Sequence, residues 1–112
     1  MEPMDILFSL NGRINRAPYW MYSIIFPIAL WFLVFMSWSI MPDAAGILLI
    51  LAIVVSTWVT VALGVKRAHD RGRSALFLLL YLIPVVNLWP MIELAFVPGT
   101  SGANEYGPDP LG

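Results

Sequence analysis

Three stretches of this chain are dominated by apolar side chains and carry no formal charge: residues 17 to 42, 44 to 65 and 74 to 92. Roughly 20 apolar residues, rising about 1.5 Å each as a helix, cross the hydrocarbon core of a bilayer. Each stretch approaches or exceeds that length. Backbone groups left unpaired in lipid are costly, so each stretch is expected to be helical. The pattern predicts an all-α integral membrane protein, a single membrane domain with spans over 19–41, 44–65 and 75–97. Residues 1–18 read as an interfacial segment, with Met4, Ile6, Leu7, Phe8 and Leu10 apolar and Asn11-Gly12 ending any short helix. Residues 98–112, rich in Gly and Pro, read as an extended tail.

The third stretch differs from the other two. Pro84, Asn87 and Pro90 fall in its middle. A proline lacks the amide donor and crowds the carbonyl four residues earlier, so a kink at Pro84 is expected. A complete break there would instead give a re-entrant hairpin of two half-helices. The first stretch is too long for the apolar core of a signal peptide, and no small-x-small cleavage site follows it. It reads as a permanent anchor.

Composition strengthens the membrane reading. The 112 residues are 60% hydrophobic and only 12% charged, with a mean hydropathy of +0.81. Soluble domains carry about a quarter charged residues. The formal net charge of −1 gives no general attraction to nucleic acid, and the absence of cysteine removes disulfides and thiolate chemistry.

The placement of the few cations sets an orientation. Arg13 and Arg16 precede the first span, no Lys or Arg lies in the loop around Pro42-Asp43, and Lys66, Arg67, Arg71 and Arg73 crowd the next connection. Lys and Arg are retained on the cytoplasmic side. The N-terminus and the basic loop are therefore expected inside. With three full spans, the C-terminus falls on the periplasmic side.

Four groups of residues are candidates for function. The first joins Arg13 and Arg16 to the loop cations Lys66, Arg67, Arg71 and Arg73, with His69 and Asp70. These residues either meet anionic lipid headgroups or form a structured turn in which Asp70 pairs with Arg13, Arg16 or Arg67. His69 and Asp70 alone cannot complete a zinc site, which takes three or four ligands, and no cofactor is expected. The second is the row Ala52, Ser56, Thr60 and Gly64 in span two. Its spacing of four suits close helix packing, within the chain or with a partner. The third is Asn87 with Glu93, polar groups in an apolar run and so functional candidates by position. Glu93 either reaches the outer interface or joins Asn87 in a helix-helix or proton-coupled site. The fourth is the tail motif Asn104, Tyr106, Gly107 and Asp109, whose residue types favour tight turns and a folded cap.

Three motifs carry a family resemblance. They are Gly12-Arg13-Ile14-Asn15-Arg16-Ala17-Pro18-Tyr19-Trp20, then Lys66-Arg67-Ala68-His69-Asp70-Arg71-Gly72-Arg73-Ser74, then Pro98-Gly99-Thr100 followed by Asn104 to Pro110. In this order around three apolar runs, the chain resembles the small bacterial inner-membrane proteins grouped as domain of unknown function 805. Lys66 stands where the family usually has Arg, Ala75-Leu76 where it tends to an aromatic pair, and Glu93 where it is usually apolar. The resemblance implies the bacterial inner membrane and no established activity. The expected role is a non-enzymatic accessory protein that contacts the bilayer and its anionic headgroups and packs against another membrane protein or itself. A component of a small oligomeric channel or transporter is the alternative.

Overall fold

The computed structural model describes all 112 residues; its regular elements are all helices, with one isolated bridge between Asn104 and Gly107. A short helix α1, Pro3–Phe8, starts on a proline at its first turn, where a missing amide costs nothing. Helices α2, Arg16–Ile40, and α3, Pro42–Asp70, follow with only Met41 between them. At 1.5 Å per residue they are about 38 and 44 Å long, enough to cross a bilayer. Both qualify as membrane-spanning by length and hydropathy. Their apolar faces are not a hidden core. In the most apolar 18 residues of α2 only 6% are buried, and in α3 22%. Trp31, Phe32, Phe35, Trp38, Ile47 and Ile50 all point outward. In water such a surface would collapse or aggregate, whereas in lipid it is the wetted face.

The third apolar stretch is not one continuous helix. Residues Ala75–Leu82 make a 3-10 helix, η1; the chain turns through residues 83–87; and Leu88–Phe96 form a short α-helix, α4. The turn brings α4 back beside η1. Arg73, before η1, then reaches Glu93 near the end of α4 with two hydrogen bonds, Nη2 to Oε1 at 2.9 Å and Nε to Oε2. The expected single kinked helix over 75–97 is corrected to a hairpin. The cause is at Pro84, which has no amide to donate, and Val85, which takes a φ of 69° at the tip. A β-branched residue rarely adopts that conformation, and here it reverses the chain. Each arm is about 13 to 16 Å long at the rise of its helix type, half of a hydrocarbon core.

Helix packing along α3 follows a seven-residue seam. Ala45, Ala52 and Val59 are each 4% exposed or less. The expected ridge Ala52–Ser56–Thr60–Gly64 is divided among different surroundings. Residues four apart are rotated by about 40° per step on a helix of 3.6 residues per turn, so the row winds around α3. Ala52 stays in the seam with α2. Ser56, Thr60 and Gly64 line one open groove. Gly64 faces the hairpin, where a β-carbon would lie 3.1 Å from Leu78 Cδ2. The strongest packing lies near the basic end, where Ile6, Ile14, Val59 and Leu63 form one core cluster and Ala68, Phe77 and Leu94 another.

Candidate functional site: a polar knot centred on Asp70

Helix α3 ends on a glycine-closed cap. The amide of Gly72 donates to the His69 carbonyl and that of Arg73 to the Ala68 carbonyl, both at 2.9 Å. This pattern requires left-handed backbone at Gly72, whose φ is 77°. The cap holds the last turn of α3 rigid and aims Lys66, Arg67, His69 and Asp70 in different directions, all four of them buried.

Asp70 is the centre. Its Oδ1 accepts from Arg13 Nε at 3.1 Å and its Oδ2 from Arg67 Nη1 at 2.8 Å. All three side chains are at most 3% exposed. One carboxylate between two guanidiniums leaves an excess positive charge, and backbone oxygens satisfy it. Arg13 donates to the carbonyls of Thr100 at 2.6 Å, Gly102 at 2.7 Å and Gly107 at 3.2 Å. Arg67 donates to the carbonyl of Leu94 at 2.8 Å and to that of Val97. Buried charges survive in proteins when paired and fully hydrogen-bonded, and both conditions are met. Of the three arginines considered for Asp70, Arg13 and Arg67 bind it. Arg16 instead donates to the Phe96 carbonyl at 2.9 Å.

The remaining polar groups fasten other segments to this centre. Lys66 donates to the carbonyls of Asp5, Ile6 and Ser9. It thereby closes the C-terminal end of α1, where helical carbonyls lack partners. His69 Nδ1 donates to Gly12 O at 2.9 Å, and its ring stacks on Tyr106 with centroids 4.0 Å apart. Asn104 Nδ2 donates to the His69 carbonyl at 2.9 Å. The Thr100 amide donates to the Asp70 carbonyl at 2.7 Å. Asp109 folds the tail on itself by accepting from the amides of Leu111 and Gly102. Those two bonds, with the Arg13 charge nearby, hold its carboxyl below the usual carboxylate range.

Several expectations change in this light. Arg13, Lys66 and Arg67 are buried and spend their donors on internal partners. The tail packs against Arg13 and His69, on the same end of the molecule as the basic segment. The expected separation of tail and basic loop onto opposite faces is therefore corrected. Glu93 shares no site with Asn87 and lies beside the basic segment. It pairs with Arg73, lies 3.6 Å from Arg71 Nε, and accepts from Trp89 Nε1 at 3.2 Å. Asn87 lies at the hairpin turn and leads into α4. Two contributions were absent from the sequence reading. Lys66 acts as a helix cap, and Gly99 is the close-approach residue of the tail, where a β-carbon would fall 2.1 Å from Asp70 Oδ2. The Gly in Pro98-Gly99-Thr100 was the available signal.

The three motifs that run before α2, at the end of α3 and along the tail thus meet at one carboxylate. The profile of the family described as "Protein of unknown function (DUF805)" matches residues 7–108. The chain belongs to this family. It is 36% identical over 110 residues to inner membrane protein YhaH of Escherichia coli K12, covering 89% of this chain and 85% of that one. It is 30% identical over 100 residues to inner membrane protein YhaI of the same strain, covering 89% and 84%. It is also 31% identical over 134 residues to the uncharacterized protein YiiR of that strain, covering 92% and 86%. No solved structure matches the chain. The family and the two outward-facing apolar helices together support a membrane location.

Proposed function

We propose that this chain is a non-catalytic accessory protein of the bacterial inner membrane, a small platform that associates laterally with a larger membrane protein. In this reading α2 and α3 cross the bilayer and 75–96 is a re-entrant hairpin. The polar knot lies at the cytoplasmic end, with both termini on that side. The placement of basic residues supports this orientation.

The observation that carries the reading is the unequal height of the helices. The hairpin covers α2 and α3 only at the knot end. Beyond it the two long helices stand as a bare pair, with Phe32, Phe35, Met36, Trp38, Ile47 and Leu51 outward. Two helices leave much of their backbone and small-residue surface without a protein neighbour, and packing against a third helix gains dispersion contacts that mobile lipid matches poorly. At the other end the knot uses its charged groups on one another and on backbone oxygens. It fastens the helix pair rather than presenting a nucleophile and base to a substrate. A photo-crosslinking residue at Phe35 or Trp38 in living cells tests the proposal. Capture of one defined membrane protein in a stoichiometric band, absent for a probe at the knot-end residue Leu79, is the expected result. Adducts to lipid alone from both positions would overturn it.

A further inference from the structure

Below the knot, α2, α3 and the hairpin enclose an open groove of about 650 Å³. Its walls are apolar, with Tyr22, Phe26, Val59, Leu63, Leu78 and Met91 among them. The volume lies within the roughly 300–1,000 Å³ usual for small-ligand sites. A second recess of about 440 Å³ lies toward the knot end and includes Asn15, Arg16, Pro98 and Gly99. Trp20 and Ala95 line both, so the two recesses adjoin on either side of this pair. Their boundary is fixed, because Trp20 Nε1 donates to the Ala95 carbonyl at 2.6 Å and the indole packs on Phe96.

The charges around this double recess are unequal. Arg13 and Arg67 are consumed by Asp70, Lys66 by the end of α1, and Arg71 and Arg73 face Glu93. Arg16 makes one hydrogen bond, to Phe96 O, has no carboxylate partner and is exposed. A guanidinium has five donors in a planar fork suited to phosphate. An unneutralised arginine thus lies in the recess that adjoins the apolar groove, across the Trp20–Ala95 pair.

We infer that this double recess binds one phospholipid molecule, with its phosphate at Arg16 and an acyl chain in the groove beneath. Both ends of the ligand are specified. The cation selects an anionic head, and the apolar walls select a hydrocarbon chain attached to it. The occupant differs from bulk lipid because the groove is concave on three sides and the adjoining recess is charged. This site is on the knot half of the molecule and does not depend on the outer-half interface proposed above.

The test uses the full-length protein in mild detergent, stripped of lipid and titrated with phosphatidylglycerol or diacylglycerol of the same acyl chains under native mass spectrometry. One bound phospholipid is expected, with phosphatidylglycerol held roughly tenfold more tightly than the phosphate-free diacylglycerol, the factor one charge-assisted contact supplies. Arg16→Gln should remove that preference. Thr60→Trp, which fills the groove, should weaken both lipids. Ser23→Phe replaces it if Thr60→Trp fails to give a cooperative melt. No retained lipid, retention unchanged in both classes of variant, or displacement by inorganic phosphate alone would each overturn the inference.

Discussion

Arg13 and Asp70 are 57 residues apart in sequence, yet Arg13 Nε donates to Asp70 Oδ1 at 3.1 Å in a fully enclosed site. Through this contact the segment before α2 is tied to the end of α3, and through the other donors of Arg13 to the tail. Removing one partner of a buried pair leaves the other charge uncompensated, at about 3–5 kcal/mol. Asp70→Asn should therefore destabilise strongly, since it strands two guanidiniums at once. Arg13→Ala should cost a similar amount, and the double variant much less than the sum, because the residues act as one network. Thermal melts in detergent measure all three. A cost for Asp70→Asn within about 0.5 kcal/mol, the level of ordinary surface changes, would show that the knot does not hold the fold together.

Gly99 supplies a steric test of how the tail docks. An alanine β-carbon would stand 2.1 Å from Asp70 Oδ2, and the carboxylate cannot retreat without losing its arginines. Gly99→Ala should release the tail while leaving α2 and α3 helical. Cleavage by a glutamyl endopeptidase after the exposed Glu105 should speed up, with little change in the far-ultraviolet circular dichroism. Gly46→Ala, where nothing lies within 4 Å of the new carbon, is the control and should cleave at the original rate.

The two long helices were legible because their signal is one-dimensional: uninterrupted apolar runs of sufficient length, bounded by charges. The knot was legible only as an inventory. Arg13, Arg67, His69 and Asp70 stand out as one cluster, but the sequence offers both lipid headgroups and an internal turn as chemical outlets for the same cations. The choice depends on where the tail lies, and that follows from the third apolar run. There the sequence was ambiguous in a specific way. Proline at position 84 is compatible with a bent helix or a broken one, and the difference rests on long-range contacts such as Arg73 with Glu93 and Arg67 with the Leu94 carbonyl. Periodicity cannot report such contacts. The row from Ala52 to Gly64 was legible as small residues at a spacing of four, of which Ser56, Thr60 and Gly64 share one groove while Ala52 is buried in the seam.

The tail also carries a pH dependence. The Asp109 carboxylate accepts from the Leu111 and Gly102 amides and so titrates below its ordinary value of about 3.9. For a depressed carboxyl the stabilising contribution is present above the ordinary value and disappears as pH falls through the folded one. Tail protection, followed by hydrogen exchange at the amides of Gly102 and Leu111, should be constant at neutral pH and decline only under strong acid. In Asp109→Asn the protection of these two amides should already be reduced at pH 7. Equal protection in both proteins at pH 7 would remove Asp109 from the account.

The re-entrant hairpin leads to the most decisive prediction. If Arg73 and Glu93 meet, Phe96, Pro98 and the whole tail must return to the end of the molecule from which η1 departed. A full third span would instead put them some 30 Å away, across the hydrocarbon. A fluorescent protein fused after Gly112 should therefore be bright in cells and an alkaline phosphatase fused there inactive, the signature of a cytoplasmic tail. A phosphatase placed in the loop after Met41 should be active. Glu93→Arg should weaken the hairpin by setting three cations against one another, and the exchange Arg73→Glu with Glu93→Arg should recover part of the loss. Arg73 is about a third exposed, so the recovery is expected to be modest, on the order of 1 kcal/mol or less. An active phosphatase at the C-terminus would overturn the hairpin and, with it, the meeting of the tail with Asp70, because a tail outside the membrane cannot reach a carboxylate within.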